Sequence, residues 1–159
     1  FNFLRPVEVN RLLVKSINLK EKKLSVKTKT NKLKTKIIPD ILLQELPDLS
    51  QLNQDNYLFT PNGLGLEWVA EENNRRDSFS KRFKTVIKDH FNLGSEYGLY
   101  SFRHTFITKL YRNLRENKSP HETKGILMNI TGHVTMDALE KYLRDIDAEL
   151  PEDYSNLFR

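Results

Sequence analysis

Apolar and polar positions alternate along the chain in two rhythms, one of period two and one close to 3.6. Residues 5–16 place Val7, Val9, Leu12 and Leu13 as an apolar stripe behind Pro6, which suits a first helical position, and predict a helix. Ile17, Asn18 and Leu19 follow as a short extended piece. Residues 24–28 and 33–38 then alternate with period two on either side of Asn31, which predicts a hairpin with a second, lysine-studded face. Pro39 and Asp40 open a helix to about Leu46, with Asp40 as its cap. Tyr57, Leu58 and Phe59 are strand-like and end at Pro61-Asn62-Gly63, and residues 60–74 read as a long connection without clear period.

The second half has helical spacing throughout. Residues 78–91 turn Phe79, Phe83, Val86 and Ile87 inward, and residues 100–114 turn Phe102, Phe106, Ile107 and Leu110 inward. Ser119-Pro120 with Glu122 is a capped start for a helix to about Ile130. Gly132 interrupts, residues 135–143 form one more helix, and Tyr154, Leu157 and Phe158 lie on a short helix after Pro151. The pattern predicts an α+β chain, mainly α-helical, with a small antiparallel β-sheet near the N-terminus.

Composition narrows the function. The 159 residues contain no cysteine, which excludes a disulfide scaffold, a thiolate zinc site and a cysteine nucleophile. His90, His104, His121 and His133 have no metal-binding spacing, so no metal site is expected. There is no Gly-rich phosphate loop and no Gly-x-Ser-x-Gly elbow. No apolar run approaches the ~20 residues of a membrane span, so no membrane partner is expected. The chain opens on Phe1 with no signal-peptide layout, like a piece of something longer. The net charge of +5 is uneven: from residue 137 onward seven acids face three bases, leaving +9 on residues 1–136. Much of that excess is Lys20, Lys22, Lys23, Lys27, Lys29, Lys32, Lys34 and Lys36 against Glu21. Such a cluster attracts polyanions through counterion release; equally, it suits a solvated hairpin kept soluble by charge.

Arginines and tyrosines stand in fixed contexts. Arg5-Pro6-Val7-Glu8 starts one helix, Tyr100-Ser101-Phe102-Arg103-His104-Thr105 starts another, and Thr131-Gly132-His133 precedes Tyr142 by nine residues. In these places the sequence resembles the tyrosine recombinases, or phage integrases. Leu4-Arg5-Pro6-x-Glu8 is similar to the family's first arginine box. Thr28-Lys29-Thr30 with Ile38-Pro39 resembles its lysine hairpin, residues 102–108 its second arginine box, and Thr131-Gly132-His133 with Tyr142 its histidine and nucleophile box. The four boxes stand in the family's order and span residues 4 to 142. One position departs: the family usually has a histidine three residues before the second arginine, and here it is Tyr100. A phenol can donate a hydrogen bond to phosphate but does not shuttle protons near neutral pH as imidazole does. His104, adjacent to Arg103, is expected to point elsewhere on the helix and not to substitute for it.

The resemblance implies metal- and cofactor-independent cleavage and religation of double-stranded DNA through a 3′-phosphotyrosine. Arg5 and Arg103 would grip phosphate oxygens through paired donors, Tyr142 would be the nucleophile, and Lys29, or Lys27 on the same strand face, the general acid. His133 would donate to a phosphate oxygen or help move the tyrosine proton, Tyr100 would occupy the usual histidine's place, and Glu8 would anchor Arg5 or His133. Lys27, Lys32, Lys34 and Lys36 would contact the DNA backbone. Residues 1–147 would be the catalytic domain without its upstream DNA-clamping domain, and residues 148–159 a tail docking on a neighbouring protomer. The protein would be a monomer in isolation and a tetramer on DNA, in the cytoplasm of a bacterium or encoded by a phage or mobile element. A catalytically inactive DNA-binding relative and a nicking topoisomerase of related chemistry are the rival readings. Without the resemblance, Tyr142 is a packing tyrosine, Arg5 and Glu8 an ordinary i,i+3 pair, and His133 a residue after a helix cap.

Overall fold

The computed structural model describes residues 2–28, 32–143 and 155. The chain divides into two compact units, Phe1–Arg103 and His104–Arg159. Lys29 and the tail 148–159, Ser155 apart, lie outside the described residues.

In the first unit, the helix expected over residues 5–16 is shorter. α1 covers Pro6–Asn10, and one 3-10 turn covers Val14–Ser16. Leu13 instead forms an isolated bridge with Tyr57, and Leu58 N donates to Leu12 O at 2.8 Å, so sheet pairing competes successfully with helix propagation. β1 (Ile17–Asn18), β2 (Lys23–Lys27) and β3 (Leu33–Ile37) form an antiparallel sheet in that order. Thr28 N to Lys32 O, at 2.9 Å, closes the hairpin below its tip. α2 is the short Asp40–Leu43. β4 (Tyr57–Thr60), where a strand is expected, pairs with β5 (Gly63–Leu66) in a second antiparallel hairpin, and β5 lies inside the stretch expected as a long connection.

The hairpin's faces also differ from the simple alternation. Leu24 and Val26 of β2 are buried, but the β3 residues opposite them are Lys36 and Lys34. Leu33 and Ile37 point the other way and are 69% and 74% exposed. Ile38, 2% exposed, fixes this frame: it shares parity with Lys34 and Lys36, and its N–H donates to Lys22 O at 2.7 Å. The core of this unit gathers Leu12, Val14, Leu24, Val26, Ile38, Leu49 and Leu58.

α3 (Glu72–Phe83) starts earlier than expected and ends in one π-type turn at Lys84–Lys88. Trp68 sits edge-on to both Tyr57 and Phe79, and the Arg75 guanidinium lies 4.3 Å over the Tyr57 ring. These contacts hold α3 against the second hairpin. α4 (Leu99–Arg115) carries the chain onward into the second unit.

There, Ser119 caps α5 (Pro120–Thr131) by accepting from Glu122 N, as its sequence predicts. Gly132 ends it with φ +76°, a left-handed conformation that costs glycine little. Thr135 caps α6 (Met136–Glu140), and Lys124 of α5 pairs with Glu140 of α6 at 3.1 Å. Ile107, Tyr111, Leu127 and Leu139 are fully buried in this unit. The α+β class, mainly helical with a small antiparallel sheet near the N-terminus, is what the chain adopts.

Candidate functional site

The first unit concentrates fixed positive charge. Arg5 precedes α1, and Glu8, one turn on, is only 4% exposed. Glu8 accepts from the Arg5 guanidinium at 3.0 Å and from the Arg5 backbone N–H at 2.7 Å. One carboxylate therefore satisfies the start of the helix and orients the guanidinium. Arg5 is one of the two partners expected for Glu8.

Arg103 lies in the first turns of α4, 4% exposed, and donates to the carbonyl of Phe3. Phe3 has φ +51°, a region that non-glycine residues rarely enter. Phe102, beside it, meets Phe83 edge-on at 5.6 Å, which anchors the N-terminal turns of α4 on α3. Tyr100 on the same turn is 47% exposed.

Lys36 joins this group. Its amino group donates to Asn2 O at 2.7 Å, and Asn2 Nδ2 returns a bond to Ile37 O at 3.1 Å. Burial pushes its pKa down to about 8, the Arg103 charge adds to the fall, and Glu8 opposes it. Lys27, Lys32 and Lys34 are exposed on the hairpin. Lys36 thus differs from Lys27, Lys32 and Lys34: it sits near Arg103 and Arg5 rather than on an open surface. The sequence signal for this was Ile38, whose parity places Lys36 inward.

A further arginine carries no local signal. Arg11 makes a paired contact with Glu72, Nε and Nη2 each at 2.9 Å, and its Nη1 donates to Thr28 O at 2.7 Å. Asn10 Nδ2 adds a bond to Glu72 O. The Arg11 hydrogen bonds hold the Glu72 carboxyl below the usual carboxylate range. Arg11 therefore ties α1 and α3 to Thr28, the residue before Lys29.

The second unit holds imidazole and phenol. His133, 7% exposed, follows the Gly132 cap. Its Nδ1 lies 2.7 Å from Thr131 Oγ1, and that hydroxyl donates its proton to Leu127 O at 2.7 Å. Thr131 Oγ1 thus holds the Nδ1 edge of the His133 ring. Tyr142, just beyond α6, meets two imidazoles obliquely. Its ring centre is 5.0 Å from that of His133 and 4.4 Å from that of His104. His104, the residue after Arg103, has its ring against Tyr142.

No family model and no curated protein matches the sequence. Solved structures do match. The fold is similar to that of XerA recombinase, with a TM-score of 0.57 and 16% identity, covering 96% of this chain and 50% of that one. It is similar to the Tn1549 transposon integrase in complex with a circular intermediate DNA, with a TM-score of 0.58 and 15% identity over 89% of this chain and 50% of that one. The same integrase in complex with transposon right end DNA gives 0.55, 15%, 89% and 50%. The chain has a tyrosine recombinase/integrase-like fold and spans about half the length of these structures. No helix of the described residues is long and apolar enough to cross a membrane.

Proposed function

We propose that this chain is the catalytic part of a tyrosine recombinase, cutting and rejoining one DNA strand at a time through a covalent tyrosine intermediate. The observation that carries the reading is the Tyr142–His133 ring pair, with the His133 ring held at Nδ1 by Thr131, on a recombinase-like fold. DNA is the substrate by analogy with the integrase complexes, and the +9 charge on residues 1–136 suits it.

The step balances without an external energy source. The Tyr142 oxygen bonds to phosphorus as the bond to the 5′ oxygen breaks. The phenolic proton passes to His133 Nε2, and the departing 5′ oxygen takes a proton from Lys29. Arg5 and Arg103 neutralise the charge that builds on the non-bridging oxygens, and preorganised donors of this kind contribute about 3–4 kcal/mol each. The reverse attack by a 5′ hydroxyl religates the strand. Assembly as a tetramer on two duplexes through residues 148–159, within a longer cytoplasmic protein of a phage or mobile element, completes the reading.

A nicked suicide duplex tests it. The full-length protein should form a covalent protein–DNA adduct that Tyr142→Phe abolishes while DNA binding persists. Binding without any adduct would favour the inactive relative, the reading to which Tyr100 lends weight.

A further inference from the structure

His104 follows Arg103 directly, yet none of the roles above uses it. It is an exposed residue on α4, and its ring centre lies 4.4 Å from that of Tyr142 with the planes tilted by 37°. His133 also meets Tyr142, at 5.0 Å and 46°. The two imidazoles are not equivalent. His133 is buried and tied through Nδ1 to Thr131, whereas His104 meets the phenol by ring contact.

We propose that His104 is a positioning residue for the nucleophile: its ring is the shelf that sets the angle at which the Tyr142 hydroxyl is presented, while His133 handles the proton. This rests on the reading of Tyr142 as nucleophile. A tyrosine after the last turn of a five-residue helix has two rotatable side-chain bonds and little backbone to hold it. Tyr142 N–H bonds only one turn back, to Leu139 O at 2.9 Å, which fixes the backbone and not the ring. Two flanking rings restrict the ring, and in-line attack on phosphorus is sensitive to that restriction. The function belongs to the ring face of His104 rather than to its nitrogens, so another flat ring should serve.

The test is single-turnover adduct formation by the full-length protein on a suicide duplex at saturating protein, with DNA affinity measured separately. His104→Ala should slow adduct formation about tenfold at unchanged affinity, and His104→Phe should restore it to within about threefold of wild type. Because His104 is exposed, both variants should melt at the wild-type temperature. An unchanged rate in His104→Ala overturns the shelf role, and so does an equal loss in both variants, which would place the function on the nitrogens. If the wild type itself yields no adduct, the cleavage reading fails and the shelf role goes with it. If the wild type and both variants form adduct equally fast, only the shelf role fails.

Discussion

The two units hold their chemistry by different means. In Phe1–Arg103 three cations are each held by a hydrogen-bond acceptor: Arg5 by Glu8, Arg103 by Phe3 O and Lys36 by Asn2 O. In His104–Arg159 the imidazoles of His104 and His133 meet the phenol of Tyr142 by ring contacts. A cation that stabilises a transition state works best when it does not move, and a carboxylate or carbonyl fixes its direction. A nucleophile must swing toward phosphorus and back, and packing against neighbouring rings limits how far it turns. Changes in the first unit should therefore alter folding and cleavage together, whereas changes around Tyr142 should alter cleavage with little effect on folding.

The largest departure from wild type is expected at Arg103. Arg103→Ala should lower single-turnover cleavage by about 10²–10³-fold, the cost of one preorganised donor. It should also lower the urea midpoint, because a buried guanidinium bound to Phe3 O is lost. A variant that cleaves poorly at an unchanged midpoint would break the proposed link between anchoring and catalysis.

A smaller and purely catalytic effect is expected at Thr131. Thr131→Val keeps the volume but removes the hydroxyl that holds His133 at Nδ1, so cleavage should fall about tenfold or more, as for other groups that orient a catalytic ligand. The melting temperature should move far less than in Arg103→Ala. Wild-type cleavage in this variant would show that the Thr131–His133 bond does not matter.

The finest test is the pH dependence of stability set by Lys36. Its folded-state pKa, about 8, lies below the ordinary lysine value of 10.5, so folding disfavours its charge. Between these values the unfolded chain holds a proton that the folded one has released, and stability rises with pH. Below pH 8 both states are protonated, and the contribution is flat. Urea midpoints from pH 7 to 10 should show wild type gaining on Lys36→Met as pH climbs above 8. A constant difference would place Lys36 in an ordinary solvated setting.

Local patterns made part of this legible in the sequence. Arg5 with Glu8 is an i,i+3 pair at a helix start, and the Ser119 and Thr135 caps follow from residue type and spacing. His133 and Tyr142 were placed by resemblance, and the chain brings them into contact. What was missed depends on distance or on competing frames. β5 contains Gly63 and Gly65, which weaken any strand pattern; its pairing with β4 supplies what its own residues do not. Lys36 was hidden because β3 has two alternating frames, and only the burial of Ile38 chooses between them. Arg11 and Glu72 lie 61 residues apart, beyond any local rule. His104 was set aside because neighbours on a helix point in different directions. That holds for buried Arg103 and exposed His104, but it leaves open which side chain His104 meets, and that is Tyr142.

The central claim is that Tyr142 forms the bond to DNA. Trapping the full-length protein on a suicide duplex, digesting the adduct and mapping the modified peptide by mass spectrometry reads this directly. The account predicts a 3′-linked nucleotide on the oxygen of Tyr142. A nucleotide on Tyr100 or any other residue, or no adduct from a protein that binds the duplex, would contradict it.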